Sequence, residues 1–451
     1  MDRAPTGLRC RTLPDKNITT GRTQEPHYNL KHQHVARAHP PRRAGAQVSN
    51  APLATSQRFN AVSGSPTLIV DSKAKALRAA GENIVSFGAG EPDFPTPSHI
   101  VEAAVEACRD PRMQKYGPTA GLPELRANIA EKTRRDSGFQ VAPEQVLVTN
   151  GGKQAVFAAL AALVENGDEV LVPTPYWSTY PEATKMLGGI VRLVTCREDT
   201  GFRLTVDDLD AAFTTRTKAL VLASPSNPTG AVYTREQIQA IGRWALEHDV
   251  WIITDEIYEH LVYGDATFHS IPVEVPEMAQ RTIVVNGVAK THSMTGWRVG
   301  WLLAPIPLAP QFEHYQSHVT SHVSHVAQRA ANAAVSGNLE EFGRMHRAFA
   351  QRRQAIHRSL AQMPGIECEL PSGAFYIFPS IQGLMGRRLY GTPITSTLQL
   401  AEMVLDNAKV AFVPGEAFGA PGYARFSYAL ADDALAEGME RLAKFLNAGL
   451  E

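Results

Sequence analysis

Lys290 stands among small residues in the stretch VVNGVAKTHSMTGWRVGW (284–301), just past an apolar run that ends at Asn286-Gly287. An amine held away from water favours its neutral, nucleophilic form, which is how enzymes use lysine as a covalent handle. Arg298, eight positions on, brings a rigid fork of donors suited to a phosphate. A loop lysine is otherwise only a solvated side chain, so this stretch does not settle its own meaning.

Other stretches carry matching chemistry. VLVT (146–149) leads into Asn150-Gly151-Gly152 and a helix that begins near Lys153. Paired glycines admit a ligand close to the backbone, and a helix start offers unpaired N–H groups to an anion. GGKQ lacks the GxxxxGK[ST] spacing, which argues against an ATPase. A cation in a first helical turn opposes the helix dipole by about 0.3–1 kcal/mol. Lys153 therefore makes better sense with an anion in front of it, the alternative being a side chain that swings into water. PTPYW (173–177) ends a strand in Trp177, a flat surface for a heteroaromatic ring or else a piece of core or interface. Asn227 lies in a turn fixed by Pro225, Pro228 and Gly230. Turn asparagines are commonly structural, yet this turn is also a rigid platform for one side chain. VWIITDEIYEHL (250–261) carries Asp255 out of an apolar run, with Tyr258 three residues later. An unpaired buried carboxylate is costly, so Asp255 needs a partner. A lysine for a carbonyl, an aspartate for a protonated ring nitrogen, Asn227 and Tyr258 for a phenolic oxygen, an aromatic for stacking and a phosphate seat make one set. It is the protein's share of pyridoxal-phosphate chemistry.

The elements that must hold these residues alternate. VLVT, EVLVP, KALVLAS, VWIITDE, TIVVNG and RVGWLLA are short apolar runs separated by helical segments between 146 and 304. Near-continuous apolar strands with intervening helices predict an α/β fold whose mostly parallel sheet is covered on both faces. Ligands of such sheets bind beyond the carboxyl ends of the strands, where every residue above falls. Thr234 and Gln237 have capping-box spacing for a helix over 235–248. Ser98 is placed to cap HIVEAAVEAC, with Ile100, Val101, Ala104, Val105 and Cys108 on one face. Pro123 and Gly138 bracket a second helix. After about 338, a helix-rich stretch, three alternating strands and a closing helix at 432–448 predict a smaller α+β domain. The expected division is a basic, disordered N-terminal extension (1–57), an N-terminal flap and part of the small domain (58–97), a large domain (98–337) and a small C-terminal domain (338–451).

Composition fits a soluble globular enzyme, with 20% charged residues in a chain of 451. A net charge of −1 gives no overall preference for nucleic acid or membrane. Cys10, Cys108, Cys196 and Cys368 form no CxxC pair, which fits a reducing cytoplasm and no zinc knuckle. AVFAALAALV (155–164) is too short to span a bilayer and reads as a buried helix. In residues 1–57 the only acids are Asp2, Asp15 and Glu25. Such a leader can suit organelle import or nucleic acid, but with few large apolar residues it reads as a disordered tail, or as an artefact of an assumed translation start.

From about 60 to 447 the chain resembles the class I, fold-type-I pyridoxal-phosphate aminotransferases. It is most similar to bacterial aspartate aminotransferases of the branch that includes prephenate-using relatives. GAGEPDFPTP, KYGPTAGLPELR, TNGGKQA, PYWSTYPE, SPSNPTGAVY, TDEIYEHLVY, NGVAKTHSMTGWRVGW, PSGAFY and VPGEAFG carry the resemblance in order. It implies a seven-stranded sheet and Lys290 as the Schiff-base lysine and proton carrier. It implies Asp255 at the pyridine nitrogen, Tyr258 and Asn227 at the 3′-oxygen, and Trp177 on the ring. Arg298 and the N–H groups of Gly151, Gly152 and Lys153 would hold the phosphate, joined by Tyr116 of a neighbouring subunit in a homodimer. Arg425 would clamp the substrate α-carboxylate under the Gly90 backbone. Lys153, Ser65 and Thr67 would meet the distal carboxylate, although Gly64-Ser65-Pro66-Thr67 departs from the usual Pro-Ser-Ala-Thr. His292 is a second departure, where relatives often carry an apolar residue; a neutral, packed histidine is the expected reading.

The activity this implies is transfer of an amino group between aspartate or glutamate and a 2-oxo dicarboxylate by a ping-pong route. A glutamate/aspartate–prephenate aminotransferase is the alternative, and an aminotransferase-like transcriptional regulator a remoter one. His314, His318, His322 and His325 fall at helical spacing and raise a metal site, but no HExxH-type acid accompanies them. No metal is expected.

Overall fold

Seven strands build the central sheet, in the spatial order Val146–Thr149, Gly300–Leu303, Thr282–Gly287, Trp251–Asp255, Thr217–Ala223, Glu169–Thr174 and Ile190–Thr195. The computed structural model of the chain describes residues 55–60, 62, 64 and 66–451. Gly300–Leu303 runs antiparallel to both of its neighbours, and the remaining pairs are parallel. Six of the strands were legible as apolar runs. The seventh, Ile190–Thr195, was not: it is an edge strand whose Ile190 and Leu193 face solvent.

The alternation of side chains explains why both faces must be covered. Val170, Val172, Val221, Ile253, Ile283, Val285 and Leu302 pack on one side with Ala155, Val156 and Leu160 of the helix Gly152–Leu163. Val148, Val284, Trp301 and Leu303 pack with Ile100, Leu125 and Ile129 of the helices Ser98–Arg109 and Pro123–Asp136. Leu171, Leu220, Leu222 and Ile252 meet Ile238, Ile241 and Trp244 of the helix Arg235–Glu247. Each such side chain contributes about 1.5–3 kcal/mol by leaving water, and together they fix the strand ends in space.

Local signals held to different degrees. Thr234 Oγ1 accepts the Gln237 N–H at 3.3 Å and Gln237 Oε1 accepts the Thr234 N–H at 3.0 Å, as the capping-box spacing predicts. Ser98 does not cap: it is the first helical residue, Pro97 takes the cap position, and no side chain bonds there. The buried face of that helix is Ile100, Ala104 and Ala107, while Cys108 is exposed. The four histidines do not share a helix. One helix ends at Val319, Ser321 turns the chain in a left-handed conformation, and His325 opens the next helix.

Outside the large sheet, Val85–Ser86 pairs in parallel with Val410–Ala411. Val413–Pro414, Ala424–Ser427 and Tyr376–Ile377 form an antiparallel sheet. The helices Glu340–Leu360, Thr397–Ala408 and Asp432–Gly449 lie in the same part of the chain, and Phe349, Val404 and Leu442 share a core with Phe375 and Phe426. The helix Thr397–Ala408 was not anticipated. The expected extension lies outside the described residues as far as Ala54, and Ser65 also lies outside them. Among the described residues no helix is long and apolar enough to cross a membrane.

Candidate active site

A cleft of about 750 Å³ opens at the carboxyl ends of the parallel strands. Gly90, Gly152, Lys153, Trp177, Asn227, Asp255, Tyr258, Lys290, Arg298 and Arg425 all line it. They come from stretches as far apart as residues 90 and 425: Asp255 ends a strand, Lys290 lies beyond one, and Arg425 sits within the strand Ala424–Ser427.

Lys290 lies just beyond the strand Thr282–Gly287. Its Nζ donates to Gly90 O and stands over the Tyr258 and Phe375 rings, 5.6 and 5.5 Å from their centres. Burial, reinforced by Arg425 and Arg298, pulls the amine down to about 8 against the opposing pull of Glu91 and Asp255. The nucleophilic form is thus well populated near neutral pH.

Asp255 ends the strand Trp251–Asp255 almost fully buried. Its Oδ2 accepts the Tyr180 hydroxyl at 2.8 Å and its Oδ1 accepts the Ile257 N–H at 3.2 Å. Burial pushes its carboxyl above the ordinary range, opposed by Tyr180, Ile257 and Lys290. The Tyr258 hydroxyl lies 2.9 Å from that of Tyr376, and burial with Tyr376 beside it raises Tyr258 well above an ordinary phenol. Tyr180 and Tyr376 were not anticipated. Both sit in stretches already singled out, PYWSTYPE and PSGAFY, but their partners are 75 and 118 residues away.

At the seat expected for phosphate, the helix Gly152–Leu163 begins against the Arg298 guanidinium. Arg298 Nη1 donates to Thr295 O at 2.9 Å and Nη2 to Asn150 O at 3.3 Å. Gly151 has φ +78°, and a Cβ there would stand 2.6 Å from Arg298 Nη2, so no larger residue fits without moving the arginine. Lys153 Nζ donates to Thr179 Oγ1 at 2.8 Å and lies 4.8 Å from the Trp177 ring centre. Burial and Arg298 lower its pKa.

Arg425 is 3% exposed, over the Tyr376 and Phe418 rings. Nη1 donates to Asn227 Oδ1 and Nη2 to Gly88 O, each at 2.9 Å, and Nε has no hydrogen-bond partner among the described residues. Among the described residues neither Arg425 nor Arg298 pairs with a carboxylate. Two such cations in one cleft are built to meet anions.

The chain matches the family model described as aminotransferase class I and II over residues 82–442. It belongs to that family. The chain is 57% identical over 392 residues to an aspartate aminotransferase of Streptomyces avermitilis, covering 87% of this chain and 96% of that one. It is 41% identical over 391 residues to a probable aspartate/prephenate aminotransferase of Aquifex aeolicus, covering 86% and 98%. Among solved structures it superposes on the Thermus thermophilus aspartate aminotransferase with maleate at a TM-score of 0.81, with 39% identity over 87% of this chain and all of that one.

The cofactor of this aminotransferase is pyridoxal phosphate, and the residues in place fit it. The Arg298 guanidinium, which meets backbone oxygens but no carboxylate among the described residues, and the start of the Gly152–Leu163 helix form an anion cradle that a Cβ at Gly151 would fill. Asp255 offers a buried carboxylate to a ring nitrogen, and Trp177 a flat face.

One expected residue, Tyr116, lies away from the cleft of this chain. Tyr116 is 93% exposed. Thr67 falls in the first turn of the helix Pro66–Ala79. His292 is buried, and burial with His260, Lys132 and His99 nearby pulls it down to about 3, so it is neutral and packed. His322 Nε2 accepts the Gly117 N–H at 3.2 Å, its Nδ1 donates to Val323 O at 2.8 Å, and its ring stacks on that of His325.

Proposed function

We propose that the enzyme moves an amino group between L-aspartate or L-glutamate and a 2-oxo dicarboxylate, oxaloacetate or 2-oxoglutarate, in two half-reactions. Pyridoxal phosphate supplies, when bound, an aldehyde that takes up amines and a ring system that draws electrons from the substrate's Cα. Lys290 would hold the cofactor through its amine and, when that amine is free, would carry the proton off the substrate's Cα. Asp255, oriented by Tyr180, would hold the pyridine nitrogen and favour its protonated form. Asn227 and Tyr258 would hold the phenolic oxygen, and Trp177 the ring. Arg298 and the N–H groups of Gly151, Gly152 and Lys153 would hold the phosphate.

The observation that carries this reading is an amine pulled down by burial and sharing a cleft with Arg298 and Arg425, two cations that pair with no carboxylate among the described residues. Arg425 would bind the α-carboxylate bidentately beneath Gly90, and Lys153 the distal one, a reading supported by their places on the lining of one cleft. The resemblance adds Ser65 and Thr67 at the distal end, Ser65 lying outside the described residues. Tyr116, 93% exposed on its own chain, would reach the phosphate of a second copy in a cytoplasmic homodimer, a reading supported by its exposure and by the family. A panel of oxo acids tests the assignment, read by the colour change between aldehyde and amine forms of the cofactor. Oxaloacetate and 2-oxoglutarate should be the best acceptors. Prephenate outrunning both would favour the second reading, which the likeness to an aspartate/prephenate relative keeps in view.

A further inference from the structure

Behind the cleft lies a buried ionic cluster that the reaction as described does not use. The last turn of the helix Pro123–Asp136 brings Lys132, 4% exposed, against the Glu259 carboxylate and 3.2 Å from Asp136 Oδ2. Asn286 Nδ2 donates to Glu259 Oε1 at 2.8 Å, and Asn286 Oδ1 accepts the Gly287 N–H at 2.7 Å. Asp136, Glu259 and His260 lie close enough together to suggest a metal site, but the Lys132 ammonium is already the cation among them.

What matters is where the ends of this cluster lead. Glu259 directly follows Tyr258, and Asn286 stands four residues before Lys290. The two strands concerned pair in register as far as Asp255 and Val285, and the Glu256 N–H donates to Val285 O at 2.9 Å. Beyond that ladder, the Glu259–Asn286 bond ties the segment carrying Tyr258 to the segment carrying Lys290. Lys132 holds Glu259 from the helix below. Residues that meet a reacting group keep their direction only if the groups behind them are fixed.

We propose that Lys132, Glu259 and Asn286 form a brace that aims Tyr258 and Lys290 at the cofactor, with Glu259 as its hub. This rests on the roles given above to Tyr258 and Lys290. The three are positioning residues: none lines the cleft. A buried acid elsewhere supplies the control. Glu169, 1% exposed, meets Arg216 Nη2 at 2.6 Å and Thr214 Oγ1 at 2.7 Å at the start of its strand, the end opposite the cleft.

The test compares full-length, cofactor-loaded Glu259→Ala, Asn286→Ala, Glu259→Gln and Glu169→Ala. Glu259→Ala and Asn286→Ala should lower kcat about 10- to 100-fold with little change in KM, the signature of misdirected rather than unbound groups. They should also move the pH midpoint of the visible absorbance of the Lys290-bound cofactor. The charged groups facing Lys290, namely Arg425, Glu91, Asp255 and Arg298, are untouched in these variants, so a moved midpoint reports a change of aim. Glu259→Gln still accepts from Asn286 and should stay near wild type in both readouts. Glu169→Ala should lower Tm alone. Should Glu259→Ala not fold, Asn286→Ala carries the test, because it leaves the Lys132–Glu259 pair in place. If both alanine variants change only Tm, as the control does, the brace is merely structural and the proposal fails. A wild-type protein with no cofactor bound at Lys290 would instead overturn the functional reading, and the brace with it.

Discussion

On the proposed reading Arg425 and Lys153 divide the recognition of a dicarboxylate between them, and their surroundings predict different losses. Arg425 is sunk over the Tyr376 and Phe418 rings and donates to neutral oxygens of Asn227 and Gly88. Lys153 donates to Thr179 Oγ1 and lies over the Trp177 ring. Truncating one side of a buried charge pair costs about 2–5 kcal/mol. Lys153→Ala should therefore depress kcat/KM for aspartate far more than for alanine, while Arg425→Ala should harm both alike. Steady-state kinetics on the two amino acids would remove Lys153 from its role if its losses were equal. Tyr180 makes a second case. Tyr180→Phe strips one hydrogen bond from a buried carboxylate, at a cost of about 1–3 kcal/mol, and Asp255 loses a bond that holds its pKa down. A slower half-reaction and weaker cofactor retention, followed by stopped-flow absorbance and dialysis, are the expected outcome. The sequence showed Asp255 because an acid closing so apolar a strand demands a partner. It hid Tyr180 because an aromatic in a helix reads as core until its neighbour across the sheet is known.

At the scale of elements, the site was legible wherever a strand ends in a residue that strands do not want. Thr149 into Asn150-Gly151, Ala223 into the proline turn and Gly287 into the Lys290 loop all follow that rule. The rule fails where burial is one-sided. Ile190–Thr195 lies at the sheet edge with apolar residues in water, so its pattern resembles neither a buried strand nor a loop. The histidine spacing misled for a different reason: a turn at Ser321 interrupts what periodicity alone would continue. The start of the Gly152–Leu163 helix gives the prediction that belongs here. Gly151→Ala puts a Cβ into the Arg298 guanidinium at a backbone angle that costs an L-residue about 1–2 kcal/mol. The variant should fold with a modest drop in Tm but lose most of its affinity for the cofactor, as read by titration of the apoprotein. Unchanged affinity would mean the phosphate sits elsewhere.

For the whole molecule, the pH response follows from groups buried in uncharged form. His292 is held at about 3, far below an exposed histidine, so the unfolded chain takes up a proton there before the native one does. Its contribution is constant above the ordinary histidine pKa and is lost as pH falls from there toward 3. His292→Phe should flatten that part of the acid-unfolding curve, measured by circular dichroism. A curve parallel to wild type would mean that the histidine is charged in the fold. All other claims depend on Lys290, half-buried beside Gly90 and lowered to about 8. Borohydride reduction of the cofactor-loaded protein, followed by digestion and peptide mapping, tests that dependence directly. The account predicts the reduced cofactor fixed to Lys290 and to no other lysine; an unmodified Lys290, or a label on Lys153, would contradict it.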